Sequence, residues 1–418
     1  MRIRLPPGRP RPIRLLGRLR NLLGPSTEGA RQSLVALFLN STTSLVAGAV
    51  LGSITGTLEQ LPGLLVLVPA AIGLRGNVFS ALGNRLSTSI HVGTFRLSVR
   101  RDTLLGQNVT AAMVLTVALS LLLAVVAKTV AVALGVMNTI SILDLAMISI
   151  VGGALASVVV LMATIALAAG SVRFGWDLDN VTAPLVSTLG DVLTLPALWL
   201  AAQLVGVDPL DDALGLAMIV LAAASLLSAW RSERDVLRRV VRESTPILFA
   251  AACLSTMAGI AIEKRLVTFA AFPSLLILFP AFISSAGALG GILSSRLSTK
   301  LHLGLMGAGR FPSRDARRDG ALVLLLGAPV YLFNGMGAHF TGRLLGQASP
   351  GLDRMVVVSL VGGILAVLFV VFVAYYGTIA AVGLGVDPDT YGIPLVTSSV
   401  DFVGALALIL VIVSLGIT

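Results

Sequence analysis

Eleven stretches of about twenty mostly apolar residues follow one another along this chain, and no water-soluble fold hides that much hydrocarbon. They are 34–58, 61–82, 109–136, 140–169, 183–205, 213–230, 245–267, 272–293, 321–339, 356–376 and 393–417. A helix of about 20 residues crosses a hydrocarbon core of roughly 30 Å and satisfies its own backbone, as lipid requires. Charged residues make up only 12% of the 418, about half the roughly 25% of a globular domain. The chain therefore reads as an all-α polytopic membrane protein. Stretches 61–82 and 272–293 carry internal Pro and Gly, so kinked helices facing protein rather than lipid are expected there.

Lys and Arg set the orientation. Arg2, Arg4, Arg9, Arg11, Arg14, Arg18 and Arg20 crowd the first 30 residues, which read as a basic cytoplasmic arm touching anionic lipid. Without interleaved aromatics this arm lacks the stacking platform of a nucleic-acid binder. Arg85, Arg96, Arg100, Arg101, Arg173, the run 231–242 and the run 296–318 fall on that same side. Asp208, Asp211 and Asp212 fall on the other, as do the exceptions Arg343, Arg354 and the Lys264/Arg265 pair. An odd number of spans places the N-terminus in the cytoplasm and the C-terminus outside, in a cell (plasma) membrane. The single cysteine, Cys253, excludes a disulfide framework, and three histidines, His91, His302 and His339, leave little material for a zinc or di-iron centre.

The chain also repeats. A shift of 211 residues lays Pro69 over Pro280, Gly76 over Gly287, Arg85-Leu-Ser-Thr over Arg296-Leu-Ser-Thr, and His91 over His302. Eleven of the 25 positions from Pro69 to Gly93 are identical, too many for shared hydrophobicity. At a shift of 210, Asp177 and Asp179 lie over Asp387 and Asp389, and Asp191 lies over Asp401. The expected organisation is a basic arm (1–30), a first five-helix repeat (31–206), a linker with one additional span and a basic loop (207–241), and a second five-helix repeat (242–418). The additional span makes the two repeats parallel, a construction in which transporters place their sites between the repeats.

Asp191 and Asp401 carry the functional reading. Each sits about eight residues inside an apolar stretch, or about 12 Å deep, where an ionised carboxylate is costly and faces protein or water. Ser187 and Thr188 precede Asp191 on the same helix face, as Thr397 and Ser398 precede Asp401. Oxygen donors without thiolate or imidazole suit a hard cation. Two acids fit Mg²⁺, which keeps most of its waters, better than Ca²⁺, which wants six to eight oxygens. Asp177, Asp179, Asp387 and Asp389 form a second acidic level in the loops before those helices, as a cation-gathering inner mouth or as helix caps and solvated loop. Arg85 and Arg296 read as anchors on the basic side, Lys128 as a side chain snorkelling outward. Glu59 and Glu263 do not align with each other and have no paired role.

These residues resemble a known family. The segment PAAIGLRGNVFSALGNRLSTSIHVG (69–93) resembles a signature of the MgtE-type magnesium transporters and their eukaryotic relatives, solute carrier family 41. So does Asp179-Asn-Val-Thr-Ala-Pro with Gly190-Asp191. The resemblance implies a cation path between the halves lined by the second and fifth helices of each. Asp191 and Asp401 would be its central aspartates, Asp177 and Asp387 its acidic mouth, and Gly76, Asn77 and Gly287 part of its lining. The second half reads Ala286-Gly-Ala288 where the first reads Arg75-Gly-Asn77, so the lining need not be symmetric. With about 30 residues before the first span, closure by a large cytoplasmic sensor domain is not expected.

The function expected is a Mg²⁺ transporter or channel whose cargo is its only cofactor, without an organic group. Its partners are lipid and divalent cations, and the fused pair can act as a monomer. A secondary carrier using the aspartates for protons or sodium is the alternative within transport. An intramembrane metal-dependent enzyme would need a denser acid cluster than Asp177-Leu-Asp179, so no enzyme activity is expected.

Overall fold

The computed structural model describes residues 27–417 apart from 137, 175–177, 207–209, 303–305, 308, 310 and 384–392. Among these residues the chain is helical throughout, without strands. The first half runs α1 (Thr27–Ser53), α2 (Thr55–Gln60), α3 (Leu64–His91), α4 (Leu104–Ala133), α5 (Ile142–Phe174) and α6 (Leu178–Ala202). After α7 (Leu210–Trp230) come α8 (Asp235–Glu263), α9 (Leu266–Ala271), α10 (Ser274–His302), α11 (Arg314–Leu344), α12 (Leu352–Gly383) and α13 (Ile393–Ser414). Ten of these helices are long and apolar enough to cross a membrane. The remaining long one, α6, has 25 residues and contributes the apolar stretch Thr188–Ala202.

The first span of each half ends sooner than its hydropathy suggests. The stretch 34–58 divides into α1 and the six-residue α2, and 245–267 divides at the same place into α8 and the start of α9. Ile54 and Arg265, at the joins, leave the helical region with ψ of 18° and 15°. Each short helix then tucks one side chain inward: Leu58 and Phe269, equivalent under the 211-residue shift, are each 1% exposed. Gly63 at φ +95° turns the chain into α3, a conformation that costs a residue with a Cβ.

The halves interlock. α1 packs against α10 and α11 of the other half, while α8 packs against α3 and α4. A Cβ on Gly48 would lie 2.8 Å from the carbonyl carbon of Ile277, and one on Gly259 would lie 2.8 Å from that of Val66. Gly48 is equivalent to Gly259 and Ile277 to Val66, so this is one contact made twice about a pseudo-two-fold axis, with glycine letting backbones touch. α7, the most exposed of the spanning helices, lies against α4 and α5.

Polar contacts inside each half are duplicated as well. Ser149 donates to Ser120 O at 2.8 Å, and Ser359 to Tyr331 O at 2.6 Å. Arg85 Nε donates to Asn108 Oδ1 at 2.8 Å, and Arg296 Nε to Asp319 Oδ1 at 3.1 Å. In the second half Lys300 also pairs with Asp319. The two arginines thus tie the second helix of their half to the third. Lys128 reaches the loop after its helix, where Nζ donates to Thr139 O (3.0 Å), Thr139 Oγ1 (2.6 Å) and Ile140 O (2.8 Å). His339, its equivalent, meets Ser349 at 2.8 Å. Glu263 caps the other half, with Oε1 accepting from Gly63 N at 2.8 Å, so its charge faces the positive end of α3. Glu59 is exposed on α2.

Candidate ion-binding site

Asp191 falls near the middle of α6, because that helix begins at Leu178 rather than near 183. Asp401 falls in the third turn of α13. They are 4% and 8% exposed, so both are buried in the protein. Each carboxylate accepts a hydroxyl from the first helix of its own half. Ser44 Oγ donates to Asp191 Oδ2 at 3.0 Å, and Ser255 Oγ donates to Asp401 Oδ2 at 2.7 Å. Ser44 and Ser255 are one shift of 211 apart.

Asp191 has a second hydroxyl, from across the interface between halves. Ser284 Oγ on α10 donates to Asp191 Oδ2 at 2.9 Å and lies 3.1 Å from Asn40 Oδ1 on α1. A serine has one proton to give. With the Asn40 amide turned over, its otherwise unpartnered buried Nδ2 donates to Ser284, and Ser284 donates to Asp191. One turn-neighbour along, Ser285 Oγ meets Ser41 Oγ at 3.1 Å and accepts from Asn334 Nδ2 at 2.9 Å. In a bilayer such groups must be satisfied by one another.

The residues proposed from sequence to line a path are placed unevenly. The amide of Gly76 lies 3.7 Å from where a Cβ on Gly190 would stand, so α3 and α6 meet just before Asp191. Gly287 faces Thr397 in the same way in the other half, at 3.9 Å. The Thr397 hydroxyl is turned to its own backbone, donating to Pro394 O at 3.1 Å. Ser398 is buried, while Thr188 and Asn77 are half-buried. Ser187 lies on α6, with only its helical backbone described. Asp179 belongs to the first turn of α6 rather than to a loop, which suits a carboxylate at a helix start. Asp177, Asp387 and Asp389 lie outside the described residues. Among the described residues no three His, Cys, Asp or Glu converge on one point. The two aspartates and the hydroxyls bonded to them are hard oxygen donors.

The family model that matches this chain is that of the MgtE divalent cation transporters, and it matches twice, over residues 68–201 and 279–411. The chain belongs to the MgtE family. The two matches cover α3 to α6 and α10 to α13 up to residue 411, so each MgtE copy contains its aspartate. The helices that give those aspartates Ser44 and Ser255, α1 and α8, lie outside the matched residues. Among its relatives, solute carrier family 41 member 3 of Rattus norvegicus is 23% identical over 398 residues, covering 89% of this chain and 84% of the relative. Member 2 of that family from Homo sapiens is 24% identical, covering 91% and 69%, and that from Xenopus laevis is 26% identical, covering 90% and 70%. No solved structure matches.

The MgtE copies also differ at Arg75. Arg75 is fully buried; Nη1 donates to Ala71 O, and among the described residues Nε and Nη2 have no partner. Its guanidinium lies where a Cβ on Gly153 would stand, with Ser120 Oγ beside it. In the second half Ala286 replaces Arg75, and the ring of Tyr331, equivalent to Ser120, fills that space against Gly363. The departure visible in sequence is therefore an exchange of guanidinium for phenol beneath the second helix.

Proposed function

We propose that this protein moves Mg²⁺, as a partly hydrated ion, along a path between its two halves, with Asp191 and Asp401 binding it inside the membrane. The observation that carries this reading is the equivalence of the two carboxylates: each is buried in the protein, and each is held by the same serine of its own first helix. Paired acids with hydroxyls favour Mg²⁺ over softer metals, and water between ion and carboxylate lets it bind without trapping it. Ser187, Thr188, Thr397, Ser398, Gly76, Asn77 and Gly287 complete the lining. Asp177, Asp179, Asp387 and Asp389 gather cations at the mouth on the basic side, which faces the cytoplasm and holds the N-terminus. The five-helix units 31–206 and 242–418, joined through 207–241, make the pair self-contained, so one chain suffices. The protein is a carrier of ions and not an enzyme.

The test is flux into proteoliposomes holding a Mg²⁺ indicator, with neither a sodium nor a pH gradient. Saturable Mg²⁺ entry is expected, with far slower entry of Na⁺ and K⁺. Entry that appears only with an imposed gradient of Na⁺ or H⁺ would favour the secondary carrier instead.

A further inference from the structure

The interface between halves is made twice, yet a cluster of polar side chains in one copy has no counterpart in the other. On the α1–α10 side stand Asn40, Ser41, Ser284, Ser285 and, from α11, Asn334. Their equivalents on the α3–α8 side are Ala251, Ala252, Gly73, Leu74 and Leu123. Four of these five are buried apolar residues, and the fifth has no side chain. Ser44 and Ser255, by contrast, are retained in both copies. The difference at the two carboxylates therefore comes down to one position: Ser284 beside Asp191, Gly73 beside Asp401.

Resting on the reading above, we propose that Ser284 is a positioning residue that makes the two aspartates unequal, so that Asp191 is the fixed seat of the ion and Asp401 the carboxylate that moves with it. Asp191 Oδ2 accepts two hydroxyls, one from its own half and one from the other. To turn, this carboxylate must break both. Ser284 is itself held by Asn40, and its neighbour Ser285 by Ser41 and Asn334, so the donor cannot follow. Oδ1 is left to face the ion's water shell in one orientation, and such preorganisation raises affinity. Among the described residues Asp401 Oδ2 has Ser255 alone. A Cβ at Gly73 would meet nothing closer than Asp401 Oδ2 and Ser255 Oγ, both at 3.8 Å, so the space a second donor would fill is open. Rotation of Asp401 costs one hydrogen bond, and bonds to a charged group are worth roughly tenfold or more each in an equilibrium. A transported ion must be seated and then released. One fixed and one yielding carboxylate divide those two tasks.

The experiment compares Ser284→Ala, Ser284→Thr and Gly73→Ser with the full-length wild type in Mg²⁺-indicator proteoliposomes, alongside Asp191→Asn and Asp401→Asn. Ser284→Ala is expected to raise the half-saturating Mg²⁺ concentration about tenfold with little change in maximal rate, and Ser284→Thr, which keeps the hydroxyl, to restore it. Gly73→Ser gives Asp401 the second donor and is expected to lower the maximal rate several-fold without raising half-saturation. Wild-type kinetics in Ser284→Ala, or a loss that Ser284→Thr does not repair, would overturn the proposal while leaving the aspartate site standing if both Asn variants are inactive. Should Ser284→Ala not fold, an unchanged maximal rate in Gly73→Ser overturns it alone. Undiminished flux in both Asn variants would instead remove the site on which it rests.

Discussion

Asp191→Asn and Asp401→Asn are each expected to cut Mg²⁺ flux by about a hundredfold or more while leaving the protein folded. Asn is nearly isosteric with Asp, and its carbonyl oxygen can accept the hydroxyl that Ser44 or Ser255 now donates. The packing of α6 and α13 should therefore survive. On the proposed site, what disappears is one of two charges facing a divalent ion in a setting with little bulk water, where each charge counts for far more than at a surface. A loss of about 2.7 kcal/mol in ion binding corresponds to a hundredfold, a modest demand on such a pair. Removing a buried carboxylate also relieves its desolvation cost, so stability should hold or rise. Uptake in a cell lacking its own Mg²⁺ transport, read beside gel filtration and thermal unfolding in detergent, separates loss of the ion from loss of the fold.

The second large effect lies away from the aspartates. Gly48→Ala and Gly259→Ala each place a methyl group well inside the contact distance of a backbone carbonyl across the interface between halves. A carbonyl of a packed helix cannot swing aside as a flexible side chain can. Each change is expected to cost about 1–3 kcal/mol, and the double variant more than either. The symmetry of the contact predicts that the two single variants resemble each other in melting temperature, although they sit in opposite halves. Because Ser44 is one turn before Gly48 on α1 and Ser255 one turn before Gly259 on α8, shifting either helix also moves a hydroxyl off its carboxylate. Transport should fall with stability. A Gly259→Ala protein that melts like wild type would mean that the halves do not meet as described.

The sequence discloses the helices, the repeat and both aspartates, because hydropathy and a fixed shift are properties of one chain read against itself. Ser44 and Ser255 were within reach of the same shift, since they align, but nothing in a run of apolar residues says which hydroxyl points at a carboxylate 147 or 146 positions away. Ser284 was less legible still. It breaks the repeat instead of obeying it, and its contact with Asp191 crosses from one half to the other. Glu263 had no aligned partner for the same reason: it caps α3 from the opposite half, and Gly52 stands at its equivalent place. Hydropathy also ran the first span of each half into the short helix that follows, because Leu58 and Phe269 are as apolar as a membrane residue though they are buried in protein. Arg75 shows the converse. Sequence marked it as a departure between halves, but only packing shows a guanidinium and a phenol ring sharing one volume.

The most direct test of the central claim is whether Asp191 and Asp401 both face water that Mg²⁺ can reach. In a Cys253→Ser background, which removes the single native thiol, Asp191→Cys and Asp401→Cys can each be exposed to a small charged methanethiosulfonate reagent in reconstituted membranes. With the other aspartate intact, both cysteines are expected to be modified, and millimolar Mg²⁺ to slow the modification of each. Cysteines that stay unreactive, or that react at one rate with and without Mg²⁺, would show that the paired carboxylates do not line the ion's path.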